Sequence, residues 1–409
     1  MKATLSYNKG RVGKYSITIP GSKSESNRLL VLQSLYANLT INNLSNSDDT
    51  QSLINGLKVI NGIVDVHHAG TAMRFLTAYY ASIEGSRITL TGSRRMKERP
   101  IKILVDALRD LGAEITYLKN EGYPPLKIVG KKLNNSSVKI SSEVSSQYIT
   151  ALMLVAPSLS NGLNIELNGD ITSIPYIEMT LEMLQKIGVT CSFSNNKIVV
   201  KPIKKINDIT VKVESDWSSA SYFYSIVALS ENMEINLESF NKNSFQGDSE
   251  LSEIYKSLGI ETVFNTLENT ITLNNNNKNI KPLNLNLNNT PDIAQTIAVT
   301  CFGLGIACKL TGLKTLKIKE TDRLLALKTE LEKLGAKIKI TNESIEVFSS
   351  SEIKNNILIN TYQDHRMAMA FAPLSLLTSI EIDEPNVVSK SYPTFWNDLK
   401  KTGITVQIK

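Results

Sequence analysis

A glycine-ended helix pattern returns about every seventy residues along this chain, so one small α/β unit is being reused and no single large sheet accounts for it. The stretches 104–117, 181–193, 251–264 and 325–340 are each leucine-rich, stop at Gly112, Gly188, Gly259 or Gly335, and continue as strand-like sequence. Glycine adopts the left-handed conformation that ends a helix and lets the chain reverse. A second pattern, a small-residue helix running into a short strand, recurs at 35–44, 80–91, 159–168, 229–239, 304–311 and 376–383. Six copies imply six units, and a chain of 409 residues favours two domains over one. The expected class is α/β, with amphipathic helices and alternating strands in each unit and three units per domain. An even split places the boundary between 239 and 248. The asparagine-rich run 274–289 reads as a low-complexity loop without a role.

Helix starts along the chain carry donors and cations. Pro20-Gly21-Ser22-Lys23-Ser24-Glu25-Ser26-Asn27-Arg28 lies between an extended segment, 15–19, and a helical run, 29–36. A helix N-terminus offers unpaired N–H groups and a positive dipole end, and the glycine and serines let backbone approach a ligand. The other reading is a surface turn with ordinary capping serines. Recurrence favours the first. Ala69-Gly70-Thr71-Ala72-Met73-Arg74 opens a second helix, and Arg99-Pro100 starts a third, since proline at a first helical position costs no hydrogen bond. Ser145-Ser146-Gln147 precedes 148–156, and Ser173-Ile174-Pro175-Tyr176 precedes 177–187. Lys319-Glu320-Thr321-Asp322-Arg323 and Asp364-His365-Arg366 repeat the arrangement with charges. Together they suggest a site for a polyanionic small molecule, on the face where the helix N-termini converge.

Composition narrows the alternatives. The formal charge of +6 comes from 45 basic and 39 acidic residues without a basic block or stripe, which speaks against nucleic acid. Cys191, Cys301 and Cys308 are too few and too scattered for a disulfide framework or zinc site and read as core thiols. The polar start, 1–14, lacks a secretory apolar core, and the uncharged stretch 293–308 is short for a membrane span. A cytoplasmic location is expected.

Seven ordered motifs, 20–28, 69–74, 95–100, 145–148, 218–222, 319–323 and 364–369, resemble those of the 5-enolpyruvylshikimate-3-phosphate synthase family. The resemblance covers nearly the whole chain. It implies two domains of three βαβαββ units each, an inside-out α/β barrel arrangement. The first strand crosses over, so 1–20 join 242–409 and leave 21–241 as the N-terminal domain, with the active site in the cleft between them. The implied reaction moves the enolpyruvyl group of phosphoenolpyruvate to the 5-hydroxyl of shikimate 3-phosphate and releases phosphate, with no metal or cofactor. Small-molecule substrates are the implied partners, with no nucleic acid or membrane, and a monomer is expected from the self-contained plan.

By position, the resemblance makes Glu320 the carbon acid/base and Asp292, in Thr290-Pro291-Asp292, the carboxylate beside the attacking hydroxyl, with Lys23 as a third catalytic residue. Read alone, Glu320 is equally a helix-start carboxylate paired with Arg323, and Asp292 an ordinary capping residue. Lys23, Ser24, Arg28, Ser145, Ser146, Ser173, Tyr176 and Lys319 would hold shikimate 3-phosphate. Lys23, Gly70, Arg99, Gln147, Arg323, Arg366 and Lys390 would hold phosphoenolpyruvate. Arg323 and Arg366 suit its carboxylate because a planar guanidinium binds both oxygens. Arg74 could brace the neighbouring loop, and His365 reads as structural. Three residues depart from the family pattern: His68 for asparagine, Phe75 for proline, and Thr315 for asparagine. The first two lie in the expected phosphoenolpyruvate wall and predict altered affinity for that substrate and analogues such as glyphosate; Thr315 puts one substrate contact in doubt. A UDP-N-acetylglucosamine enolpyruvyl transferase shares the implied architecture but typically has a reactive cysteine in a first-domain loop, where this chain has none. A catalytically silent anion-binding relative is the other alternative.

Overall fold

The computed structural model describes residues 1–8, 13–141, 145–169, 171, 173–276 and 280–409. They form two compact units, a continuous one of Gly21–Val213 and a split one of Met1–Pro20 with Glu214–Lys409. Each has its own buried apolar core.

One unit of the repeat shows the plan. Strand Asn61–Asp65 leads into helix Gly70–Ser82 and strand Arg87–Thr91, which pair in parallel; helix Lys102–Asp110 and the hairpin Glu114–Tyr117 with Leu126–Val129 complete the sheet antiparallel. The first helix is apolar and buried along most of its length because it packs on neighbouring first helices, Gly70–Ser82 on Ser146–Val155 and Lys23–Leu35 on both. The second helix is amphipathic, buries one face through Leu104, Val105, Ala107 and Leu108, and stops at Gly112, whose φ of 102° only glycine adopts without strain. Gly188, Gly259 and Gly335 share that conformation. A fifth copy, Gly403 with φ 86°, ends helix Phe395–Lys401 before strand Thr405–Ile408.

All six small-residue patterns deliver their strands, Leu39–Asn42, Arg87–Thr91, Leu163–Asn168, Met233–Glu238, Cys308–Thr311 and Ile380–Asp383, and each lies in a different sheet. Among the described residues, five sheets have four strands. The sixth has two, Ile209–Lys212 in parallel with Leu39–Asn42, because no hairpin follows helix Asp48–Leu57. Helix Asp48–Leu57 ends at Lys58 without a glycine stop and leads on into strand Asn61–Asp65.

The chain enters the split unit earlier than an even division suggests. Helix Trp217–Leu229 and strand Met233–Glu238 belong with 1–20, not with 21–213, so the boundary at 241/242 is corrected to 213/214. The reason is strand pairing: Met233–Glu238 lies parallel to Gly13–Ile17, with Ile235 opposite Tyr15 and Leu237 opposite Ile17. Lys2–Ser6 likewise pairs with Ile380–Asp383 and Thr405–Ile408. The loop expected over 274–289 is also corrected. Strand Thr270–Asn275 ends within it, and Leu283–Asn286 is a strand parallel to Cys308–Thr311, its leucines turned to the core and its asparagines away. Residues 277–279 lie outside the described set.

Candidate active site

Predicted site residues gather at helix starts in both units. In the continuous unit the helix expected from residue 29 begins at Lys23, capped by Ser22, whose Oγ accepts from Glu25 N. Gly21 serves the fold here: a Cβ would lie 1.8 Å from the Asn43 carbonyl oxygen. Lys23 pairs with Asp49 at 3.2 Å at the start of helix Asp48–Leu57.

Arg28 falls in the second turn of its helix and points into the protein, 3% exposed. Its Nε donates to Thr180 Oγ1 at 2.9 Å and Nη1 to the Ser24 carbonyl at 2.8 Å; Nη2 reaches Thr150 Oγ1 and the Tyr176 carbonyl, each at 3.4 Å. The rings of Tyr176 and Phe75 flank the guanidinium carbon at 5.5 and 5.8 Å. Burial lowers its pKa to about 10, against the opposing pull of Tyr176 and Glu25. Arg28 thus ties Ser24 and Tyr176 together across three helices. Phe75, in the core, bears on this group through Arg28.

A second cluster joins the next two helix starts. Gln147 Nε2 donates to Thr71 Oγ1 at 3.2 Å, and Ser145 caps helix Ser146–Val155 by accepting from Gln147 N. The proline helix start expected at Arg99-Pro100 is displaced, since the helix begins at Lys102. Pro100 instead offers its carbonyl to Tyr148 Oη at 2.6 Å and Arg74 Nη2 at 3.2 Å. Arg74, whose Nη1 also donates to the Gly70 carbonyl, therefore braces the segment that presents Arg99. A Cβ at Gly70 would lie 2.7 Å from Arg99 Nη1. Ser173, at the start of helix Ile174–Lys186, has a left-handed φ of 57°, a strained conformation for serine of the kind that collects at functional sites. Ser146 is buried and His68 exposed.

In the split unit the charged residues form one network centred on Arg323, the first residue of helix Arg323–Lys333 and 2% exposed. Its Nε donates to Asp364 Oδ2 at 2.7 Å, Nη1 to Asp292 Oδ1 at 2.9 Å and Nη2 to Glu320 Oε2 at 2.8 Å. Burial alone would lower its pKa, but Asp364, Glu320 and Asp292 overcome that and raise it, so it stays charged. Lys390, at the end of the turn Pro385–Lys390, pairs with Glu320 Oε1 at 2.9 Å. Asp292 also faces Lys319 at 3.5 Å and, through Oδ2, Arg366 at 3.3 Å. Asp292 is held by three cations, Arg323, Lys319 and Arg366, which goes beyond the plain capping reading. Glu320 keeps the Arg323 pairing of the bland reading and adds Lys390. Thr315 is half-buried in the turn Lys314–Ile318, just before Lys319.

The structure thus collects Lys23, Ser24, Arg28, Gly70, Arg99, Ser145, Ser146, Gln147, Ser173 and Tyr176 in one unit and Asp292, Lys319, Glu320, Arg323, Arg366 and Lys390 in the other. The family model described as EPSP synthase (3-phosphoshikimate 1-carboxyvinyltransferase) matches residues 61–399. The chain belongs to the EPSP synthase family. It is 45% identical over 399 residues to a 3-phosphoshikimate 1-carboxyvinyltransferase of Bacteroides fragilis, covering 97% of each chain. It is 36% identical to the enzyme of that name from Mannheimia haemolytica, covering 95% of this chain and 96% of that one. The solved EPSP synthase of Acinetobacter baumannii matches with a TM-score of 0.80 at 20% identity and complete coverage of both chains, a likeness of fold.

Relative to this EPSP synthase framework, sequence reasoning passed over Asp49, Thr71, Thr150, Thr180 and the buried Asp364 as partners of site residues. Asp49 and Asp364 stand at helix starts, where a carboxylate reads as capping, and Asp364 does cap Arg366 N at 2.9 Å. Thr150 and Thr180 sit inside apolar helices with nothing in their surroundings to mark them.

Proposed function

We propose that this chain transfers the enolpyruvyl group of phosphoenolpyruvate to the 5-hydroxyl of shikimate 3-phosphate and releases inorganic phosphate, a step toward chorismate and the aromatic amino acids. The observation that carries the reading is the Arg323 network: two carboxylates, Glu320 and Asp292, each held at 2.9 Å or less by that guanidinium, with Lys390, Lys319 and Arg366 as further cation partners. The substrates bring two phosphates and two carboxylates together, and their repulsion demands such fixed positive charge.

The chemistry assigns roles. In the addition step the 5-hydroxyl oxygen bonds to C2 of phosphoenolpyruvate, its proton passes to a carboxylate, and the C3 methylene gains a proton to become methyl. In the elimination step C3 returns a proton, the double bond re-forms, and the C2–O bond breaks as phosphate leaves with the electron pair. Glu320, clamped from two sides, is the proposed proton exchanger at C3, and Asp292 the acceptor of the hydroxyl proton. Arg323 and Arg366 hold the phosphoenolpyruvate carboxylate. Lys23, Arg99, Gly70, Gln147 and Lys390 complete its binding, and Lys23 also stabilises the departing phosphate. Ser24, Arg28, Ser145, Ser146, Ser173, Tyr176, Lys23 and Lys319 hold shikimate 3-phosphate. We further propose a cytoplasmic monomer; among the described residues no helix is long and apolar enough to cross a membrane.

The test is phosphate release from phosphoenolpyruvate by purified protein, with shikimate 3-phosphate and UDP-N-acetylglucosamine offered in parallel and product masses checked. Release with the first acceptor alone is expected. Release with the second, or silence with both, overturns the assignment.

A further inference from the structure

In the split unit, each second helix is entered through a charged residue. Glu320 and Arg323 introduce helix Arg323–Lys333, and Lys390 precedes helix Phe395–Lys401. The third entry, the turn Gly247–Glu250 before helix Leu251–Lys256, carries Asp248, which has no role in the reaction described above. Asp248 is buried, and Ser218 Oγ donates to its Oδ2. The same Ser218 Oγ accepts from Arg366 Nη2 at 3.3 Å, and that nitrogen lies 3.3 Å from Asp292 Oδ2. Asp248 Oδ1 is buried without a hydrogen-bond partner among the described residues.

A hydroxyl has one proton and two lone pairs. While Ser218 gives its proton to Asp248, its lone pairs are left for the guanidinium, so Asp248 fixes which way the hydroxyl faces. We propose that Asp248 is a positioning residue that, through Ser218, holds the Arg366 guanidinium in the orientation that receives the phosphoenolpyruvate carboxylate. This rests on the enolpyruvyl-transfer reading.

The orphaned Oδ1 adds a second consequence, because it can carry a proton while Oδ2 keeps its bond from Ser218. Burial raises the Asp248 pKa most and Asp292 next, Arg366 and the Ser218 bond oppose them, Asp216 adds to the rise, and the result is about 7. An anion on Arg366 adds negative charge beside this carboxyl and favours its protonated form. Above neutrality, ionised Asp248 competes with the substrate for the charge of Arg366, so phosphoenolpyruvate affinity falls as pH rises.

Steady-state kinetics between pH 6 and 9, together with calorimetric titration of phosphoenolpyruvate in the presence of shikimate 3-phosphate, test this on four proteins. Wild type is expected to show KM for phosphoenolpyruvate climbing above about pH 7 by up to tenfold per unit, the limit for one proton. Asp248→Ala raises that KM about tenfold at pH 6, a loss of about one charged-group hydrogen bond, with kcat changed far less. Asp248→Asn restores the pH 6 value, since its amide oxygen still accepts from Ser218, but loses the climb. Ser218→Ala raises KM as Asp248→Ala does, and it decides the matter should the position 248 variants not fold. Wild-type KM and pH profile in Asp248→Asn and Ser218→Ala overturn the inference while leaving the reaction standing. Loss confined to kcat also overturns it. A wild-type protein that binds but does not turn over is read by calorimetry alone, and one that binds neither substrate removes both the reading and the inference.

Discussion

Arg323→Met tests the network most directly, because methionine keeps much of the length and removes only the charge and donors. Three carboxylates lose a partner, but unequally. Glu320 retains Lys390 at 2.9 Å, Asp292 retains Arg366 at 3.3 Å and Lys319 at 3.5 Å, and their side chains are 13% and 16% exposed. Asp364 is 0% exposed and keeps the Arg366 backbone N–H at 2.9 Å, with His365 Nδ1 at 3.6 Å as a cation only when protonated. The penalty therefore concentrates at Asp364, where breaking a buried pair from one side costs about 4 kcal/mol. Adding Asp364→Asn removes the stranded charge while keeping a capping oxygen, and should recover about half of the loss. Both tryptophans, Trp217 and Trp396, lie in the split unit, so urea denaturation followed by tryptophan fluorescence reports on the relevant core. With a slope of about 2 kcal/mol per molar urea, the single variant should shift the midpoint down by roughly 2 M and the double by roughly 1 M. A single-variant shift below about 0.5 M, or a double variant no more stable than the single, would refute the view of Asp364 as a buried charge dependent on Arg323.

Other consequences are equally open to measurement. Gly70→Ala places a Cβ 2.7 Å from Arg99 Nη1 and must displace that guanidinium, so KM for phosphoenolpyruvate should rise about tenfold with little change for shikimate 3-phosphate; equal changes in both would count against the assignment of Arg99. Phe75→Pro would break a helix interior and remove the ring beside Arg28, lowering stability by about 3 kcal/mol in a melting assay; a neutral outcome would mean that residue 75 tolerates the family's proline without support from Arg28. Asp248, raised from 3.8 to about 7, favours folding in its protonated form, so its contribution is complete below about pH 4 and is lost as pH rises through 7. Urea midpoints of Asp248→Asn should accordingly fall less than those of wild type between pH 5 and 8, and parallel curves would exclude this titration. Glu320→Gln should lower kcat by at least a hundredfold with binding of both substrates retained by calorimetry, whereas kcat near wild type would move the proton transfer elsewhere.

Much of this protein was decided by local sequence. Gly112, Gly188, Gly259 and Gly335 end their helices with positive φ because that backbone state is a property of glycine itself, and the six small-residue patterns become six strands because alternation and helical spacing are local signals. The helix-start motifs were legible for the same reason, since caps, donors and cations within one turn need no distant partner. Gly403 carries the same signal, with φ 86° at the end of helix Phe395–Lys401. The tertiary structure decided what depends on partners far along the chain. Nothing near Gly13–Ile17 announces that it will pair with Met233–Glu238, and that pairing moves the unit boundary to 213/214. Leu283–Asn286 becomes a strand because Cys308–Thr311 offers it a ladder. Arg28 and Arg323 read alike as cations at helix starts, and both are buried because acceptors converge on them, Thr150, Thr180 and Tyr176 on one, Asp292 and Asp364 on the other. The charge of a residue is written in the sequence, but the cost of burying that charge, and so its use, is set by the groups that the fold brings to meet it.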